Sequence, residues 1–130
     1  MRDPDPFVLY TVVRKSLKMT GGKIGSQCQH AFDYLTRDVM KLLVNPTLST
    51  WEADRMERFN AWRNTEDHAK VVLGATDEEF EQVKKEYPLH FLVIDLGYTQ
   101  VAPNTETCLG LWPLKKSERS ALLQRLKPLP

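Results

Sequence analysis

The sequence predicts an α/β sandwich with helices on both faces of a small mixed sheet, and three observations carry that expectation. Phe7 to Val13 is a nearly continuous run of β-branched and aromatic residues, as suits a central strand covered on both faces. Strand-like runs then alternate with helical patterns along the chain, the order that layered α/β folds need. The link between the last two strand-like runs is short, which points to a change of direction or to a functional loop, and so to a mixed sheet.

The elements follow in order. After the first strand, Thr20-Gly21-Gly22 breaks the chain before a helical pattern from about Lys23 to about Leu43. Asn45-Pro46 marks a turn. A second helix starts after Ser49, which has Glu52 at capping-box spacing, and carries Trp51, Met56, Phe59 and Trp62. Lys70 to Leu73 reads as the second strand. Thr76 and Glu79 form another capping box, Phe80, Val83 and Tyr87 follow at helical spacing, and Pro88 stops that helix. His90 to Ile94 is the third strand and Cys108 to Trp112 the fourth, across the turn-rich segment Gly97 to Asn104. A last short helix runs from Ser117 to Leu126, with basic residues in its final turn. The order is β-α-α-β-α-β-β-α, with no internal repeat or heptad pattern.

At 130 residues the chain is expected to be one domain, 7–130, after a short extended lead-in, 1–6. The lead-in does not read as a signal peptide, because the apolar stretch behind it is brief and stops at Arg14. Nothing approaches the roughly 18 consecutive apolar residues that span a bilayer, so no membrane association is expected. Cys28 and Cys108 lie far apart and form no CxxC pair. Reduced thiols in a cytoplasmic protein are the expectation, ahead of a single disulfide.

The formal net charge is only +1, so global charge does not announce a nucleic-acid binder. Its distribution says more. Between Arg14 and Phe32 stand Arg14, Lys15, Lys18 and Lys23 and no acid, and the tail adds Lys115, Lys116, Arg119, Arg125 and Lys127 against Glu118. Local basic surface attracts phosphates over about 8–10 Å whatever the total charge.

Two stretches could carry chemistry. In Lys18 to Ala31 a strand feeds a glycine turn that opens a helix, leaving free backbone N–H groups for an anion with Lys23 in the first turn. The spacing is not that of a nucleotide-triphosphate loop. Within the helix, Ile24, Cys28, Ala31 and Leu35 share one face, while Lys23, Gln27, His30 and Tyr34 share a neighbouring one. That polar stripe has the composition of a site wall. In Asp95 to Thr107, Asp95 follows the apolar run Phe91 to Ile94 directly and stands at a strand end, the edge where open α/β sheets bind ligands. Gly97 permits close backbone approach, and Thr99, Gln100, Thr105 and Thr107 supply donors and acceptors. There is no HExxH, no clustered cysteines, no GxSxG and no GxGxxG, so zinc, serine-hydrolase, thiol and dinucleotide chemistries lack their motifs.

Together the two stretches resemble the type 2 peptidyl-tRNA hydrolases. The family pattern V-V-R-x-D-L-x-M-x-x-G-K-x-A-A-Q-C-x-H-A is matched by Val12 to Ala31, and D-A-G-x-T-Q-I-x-P-G-T-x-T-V-L by Asp95 to Leu109. The resemblance covers nearly the whole chain from about Val8, apart from a longer segment at about 38–69. It implies a three-layer α/β/α domain on a four-stranded mixed sheet and cleavage of the ester joining a peptide to tRNA, without metal or cofactor. It implies Lys23, Asp95 and Thr99 as the catalytic centre. Gly22, Gln27, His30, Gly97, Gln100, Pro103, Thr105 and Thr107 would line the site, and Arg14, Lys15, Lys18, Lys115 and Lys116 would hold the tRNA backbone. Peptidyl-tRNA is the implied partner, and the family suggests a homodimer. Departures are Ser16 for Asp, Leu96 for Ala and Asn104 for Gly. A non-catalytic RNA- or protein-binding module on the same fold is the alternative reading.

Overall fold

The structure is a computed structural model that describes residues 3–98 and 100–130. Its first strand, β1 (Phe7–Arg14), is buried along most of its length, as the unbroken apolar run requires. Thr20 caps the long helix α1 (Gly21–Leu43), its hydroxyl accepting from the Lys23 amide. Helix α2 (Thr50–Arg63) and helix α3 (Asp77–Glu86) each begin with a complete capping box, Ser49/Glu52 and Thr76/Glu79. Between them lies β2 (Lys70–Ala75), and after α3 come β3 (His90–Asp95) and β4 (Thr105–Leu111). No helix among the described residues is long and apolar enough to cross a membrane.

β1 is central, parallel to β2 on one side and antiparallel to β4 on the other, and β3 pairs antiparallel with β4 at the sheet edge. The sheet is therefore mixed, and β1, β2 and β3 all point their carboxyl ends to the same rim. Alternate β1 residues face opposite layers. Val8, Tyr10 and Val12 pack with Phe80 and Val83 of α3 and with Leu122 and Leu123 near the carboxyl terminus. Leu9 packs with Leu35 and Val39 of α1, with Met56, Phe59 and Trp62 of α2, and with Phe91 and Trp112. One buried cluster lies under α3 and the carboxyl-terminal segment, and two lie between the sheet and α1 and α2, so neither helical layer could be removed without exposing a core. Trp62 also donates from Nε1 to the Ala69 carbonyl at 2.9 Å, tying the end of α2 to the start of β2. Trp51 is exposed instead.

The sheet is larger than the four strands expected. Two-residue strands β5 (Leu114–Lys115) and β6 (Lys127–Pro128) pair with β1 and β2, and pieces that short carry no periodicity to read. The last helix is also shorter than expected. Residues Lys116–Glu118 form a 3₁₀ turn, Arg119 is extended, and α4 (Ala121–Arg125) begins where the Ser120 hydroxyl accepts from the Leu123 amide. A local side-chain cap has broken one apparent helix in two. The fourth strand begins three residues before Cys108, at Thr105, because polar Thr105 and Glu106 pair with Asp95 and Ile94.

One irregularity places the chemistry. The β3–β4 register shifts between Val93 and Ile94: Val93 opposes Cys108 and Ile94 opposes Glu106, so Thr107 has no opposite number. Such a bulge re-aims side chains. Neighbouring strand residues ordinarily point to opposite faces, yet Thr107 and Cys108 both reach Gln27 on α1.

Candidate functional site

The common rim of β1, β2 and β3 brings the two motif stretches together. Lys23, in the first turn of α1, sends its ammonium to Asp95 at the end of β3, with Nζ to Oδ1 at 2.7 Å and both side chains only 10% exposed. One turn on, Gln27 is buried and donates from Nε2 toward the same oxygen at 3.4 Å. The other carboxylate oxygen, Oδ2, accepts from the Gly97 amide at 2.8 Å. Behind Gln27, the buried Thr107 hydroxyl donates to Gln27 Oε1 at 2.6 Å. That bond fixes the orientation of the amide, leaving its NH₂ to face Asp95.

This environment decides the state of Asp95. The Lys23 hydrogen bond, aided by the Gly97 amide and Gln27, holds its carboxyl below the ordinary carboxylate range, against the opposing effect of burial. Asp95 is a standing anion at neutral pH. It is consequently a weak base, better suited to orienting a water molecule or a cation than to driving proton abstraction.

The loop after β3 is held by its own bonds. Gly97 has φ +84°, and a Cβ there would come within 2.5 Å of the Pro103 nitrogen, so both its conformation and its contact require glycine. Asn104, also at positive φ, donates from its amide to the Asp95 carbonyl at 2.7 Å, and the Thr105 hydroxyl donates to Ala102 O at 2.6 Å. Gln100 reaches across to the start of α1. Its Oε1 accepts from the Thr20 amide at 2.9 Å and its Nε2 donates to the Thr20 hydroxyl at 2.7 Å. Thr20 thus both caps the helix bearing Lys23 and anchors the loop next to Asp95. α1 itself lies close to the sheet because Gly110 leaves room for Ala31, whose Cβ would stand 3.0 Å from a Cβ at position 110.

Of the residues expected at the site, Lys23, Gln27, Asp95, Gly97 and Thr107 form one hydrogen-bonded cluster, and Gln100, Pro103 and Thr105 shape the loop beside it. Gly22 is exposed at the α1 start. Thr99 lies outside the described residues. His30 is exposed and stands apart from the cluster. Lys15 and Lys18 are exposed near the site rim, whereas Arg14 is engaged, donating to Asp77 Oδ1 at 3.2 Å and to the Glu106 carbonyl at 2.8 Å. Ser16 joins it, its hydroxyl 2.6 Å from the same Asp77 oxygen. Lys115 and Lys116 are exposed at the opposite end of β1, Lys115 pairing with Phe7 and standing over its ring.

Thr20 and Asp77 were missed. The cap position of Thr20 just before Gly21 was a readable signal for the first. Nothing in the sequence points to the second, because Arg14 and Asp77 meet only through the β1–β2 pairing that places α3.

Comparison with known proteins follows the same lines. The family model described as peptidyl-tRNA hydrolase PTH2 matches residues 7–129. A peptidyl-tRNA hydrolase of Thermoplasma acidophilum is 31% identical over 122 residues, covering 90% of this chain and 93% of that protein. One from Saccharolobus solfataricus is 29% identical over 123 residues, 91% of this chain and 95% of its own length. The human protein named peptidyl-tRNA hydrolase 2, mitochondrial, is 31% identical over 116 residues, covering 85% of this chain and 58% of that protein.

Proposed function

The chain belongs to the peptidyl-tRNA hydrolase PTH2 family, and we propose that it hydrolyses the ester between the peptide, or an N-blocked amino acid, and tRNA, releasing tRNA for reuse. The observation that carries the mechanism is the Lys23–Asp95 pair, 2.7 Å apart and largely screened from solvent.

Water attacks the ester carbonyl and gives up a proton, a tetrahedral oxyanion forms, and its collapse expels the 3′ oxygen of the tRNA, which takes a proton and leaves as the hydroxyl. Lys23 is the group suited to the oxyanion. It is cationic and preorganised, and its contact with Asp95 is held without solvent rearrangement. Asp95 orients both Lys23 and the attacking water, Thr99 helps to position that water, and Gln27, itself locked by Thr107, keeps the carboxylate in place. One oxyanion donor typically contributes about 10²–10³-fold, and holding the water in attacking geometry against the ester adds to it.

Phosphate contacts supply affinity with little sequence preference. Lys15 and Lys18, exposed beside the site, fit that role directly. Arg14 would have to share itself with Asp77, and Lys115 and Lys116 would meet tRNA remote from the ester. Gly22 and His30 are assigned to the substrate-facing surface with Gly97, Gln100, Pro103 and Thr105. A homodimer and a cytoplasmic setting are parts of the same reading, tested by sedimentation and by imaging of the tagged protein.

The direct test is incubation of N-acetylaminoacyl-tRNA with the protein, followed by separation of products. Hydrolysis yields the free N-acetylamino acid and full-length tRNA with an intact 3′ hydroxyl. Retention of tRNA with the ester uncleaved would replace the enzyme by a binding module on this fold.

A further inference from the structure

The bulge that aims Thr107 at Gln27 also aims Cys108 at α1, and Cys28 is the residue next to Gln27. Both cysteines belong to one packed cluster with Val13, Met19, Ala31 and Val93; Cys108 is fully buried and Cys28 half-buried. Cys108 Sγ lies 3.4 Å from the Gln27 carbonyl oxygen. That oxygen belongs to the peptide bond leading into Cys28, so standard backbone dimensions put the Cys28 Cα no more than about 6 Å from the Cys108 sulfur. Cys28 packs from the helix side against the same cluster that holds Cys108. Disulfides need Cα atoms about 4.4–6.8 Å apart and side chains that converge. Both cysteines pack into the one cluster between α1 and the sheet.

We propose that Cys28 and Cys108 are a redox modification site that takes a low-molecular-weight disulfide as oxidant and, once joined, shuts the neighbouring Lys23–Asp95 centre. The inference goes beyond the hydrolase reading and rests on it only for its rate measurement. The partly exposed Cys28 reacts first. Its thiolate attacks one sulfur of the oxidant, a new S–S bond forms, and the other half of the oxidant leaves as a thiol, taking the proton that Cys28 released. The Cys108 sulfur then attacks the Cys28 sulfur, its proton passing as the bond forms to the second half of the oxidant, which leaves as a thiol. Two protein thiols are oxidised to one disulfide, and one small disulfide is reduced to two thiols.

The chemistry matches the environments. The Cys108 hydrogen bond draws the Cys28 thiol below its ordinary value, the direction that makes an attacking cysteine. The same hydrogen bond, with burial, pushes the Cys108 thiol up, which leaves it as the resolving partner. The consequence for the site follows from adjacency. Closing the sulfurs to about 2.0 Å pulls the Cys28 turn of α1 toward β4. Gln27 and Thr107, each one residue from a cysteine, must move with it. The Gln27–Asp95 contact, already the longest of the cluster at 3.4 Å, is the first to be lost.

The experiment exposes the folded protein to oxidised glutathione, then alkylates free thiols and measures intact mass. The same samples are assayed for single-turnover cleavage, and the Asp95 carboxyl is titrated by carbon NMR. The wild type is expected to lose both free thiols without retaining glutathione. Its cleavage rate should fall at least about 10-fold, within reach of a 1 Å misplacement, and dithiothreitol should restore it. The Asp95 pKa should rise toward its ordinary value. Cys108→Ala should stop at glutathione on Cys28, and Cys28→Ser should stay reduced, both with the basal rate kept. The proposal is overturned if wild type keeps glutathione on Cys28 or keeps both thiols. It is equally overturned if the disulfide forms and the Asp95 titration does not move. A reduced protein that cleaves nothing counts against the hydrolase reading alone, since mass and titration still decide the switch.

Discussion

At the scale of single residues, what matters is which groups hold Asp95. Among the described residues three donors reach its two oxygens: the Lys23 ammonium, the Gln27 amide and the Gly97 N–H. Gln27 is itself held by Thr107, and both are buried. Thr107→Val keeps shape and removes the hydroxyl, leaving the Gln27 carbonyl oxygen buried without its donor. The expected cost is about 1–3 kcal/mol in urea unfolding, with a lower cleavage rate as the Gln27 amide becomes free to turn. The lowered pKa of Asp95 has a second consequence. A carboxyl whose folded pKa lies below its unfolded value contributes stability that is complete above the unfolded value. That stability drains away as pH falls through the folded one. Asp95→Asn should therefore lose stability at neutral pH and show a flatter decline between neutral and acid pH than wild type. Equal acid limbs for the two proteins would contradict the assignment of that shift to Asp95.

At the scale of elements, the motif residues are useful because three devices bring them to one rim. These are the Thr20 cap at the start of α1, the bulge at Thr107, and the loop folded back by Gly97 and clamped by Gln100. Gly97→Ala tests the loop. A side chain at φ +84° is strained, and here it would also strike the Pro103 backbone. A destabilisation of about 1–3 kcal/mol is expected from the strained backbone, with a larger proportional loss of activity than of stability, because the Gly97 amide holds Asp95. This scale also marks what could be read from the sequence. The two capping boxes, Ser49/Glu52 and Thr76/Glu79, were legible because capping is local, and Lys23 and Asp95 because one opens a glycine-preceded helix and the other ends an apolar strand. The bulge, the Thr20–Gln100 clamp and the two short strands were not. Each depends on pairings between residues far apart in sequence, such as the 80 positions separating Thr20 from Gln100, which local patterns do not encode. His30 shares the helical face of Lys23 and Gln27 and is exposed about two turns further along α1 than Lys23.

At the scale of the whole molecule, two helical layers clamp one mixed sheet, and the parallel strands deliver their carboxyl ends to the rim where Lys15, Lys18 and the Lys23–Asp95 pair stand. A rim of this kind should bind tRNA through phosphates with a steep salt dependence. Lys15→Ala and Lys18→Ala are each expected to reduce the slope of log affinity against log salt by about one contact. Lys115→Ala and Lys116→Ala, at the far end of β1, should alter the slope without altering the rate of the bound complex. Filter binding across a salt series checks both. The four-strand expectation failed at this scale because β5 pairs with central β1 past Trp112-Pro113 and β6 is added at the edge by residues 127–128, where Pro128 read only as a helix stop.

The most direct test of the central claim is single-turnover cleavage of a labelled N-blocked aminoacyl-tRNA by wild type, Lys23→Ala and Asp95→Asn, alongside unfolding curves for all three. Removing one partner of a buried pair costs about 3–5 kcal/mol, so each rate is taken where the variant is shown to be folded. The account predicts cleavage by wild type and a loss of about 10²-fold or more in each folded variant. The double variant should be scarcely worse than either single one, as expected for groups that act as a unit. Near-wild-type rates in either folded variant would contradict the placing of catalysis at the Lys23–Asp95 pair.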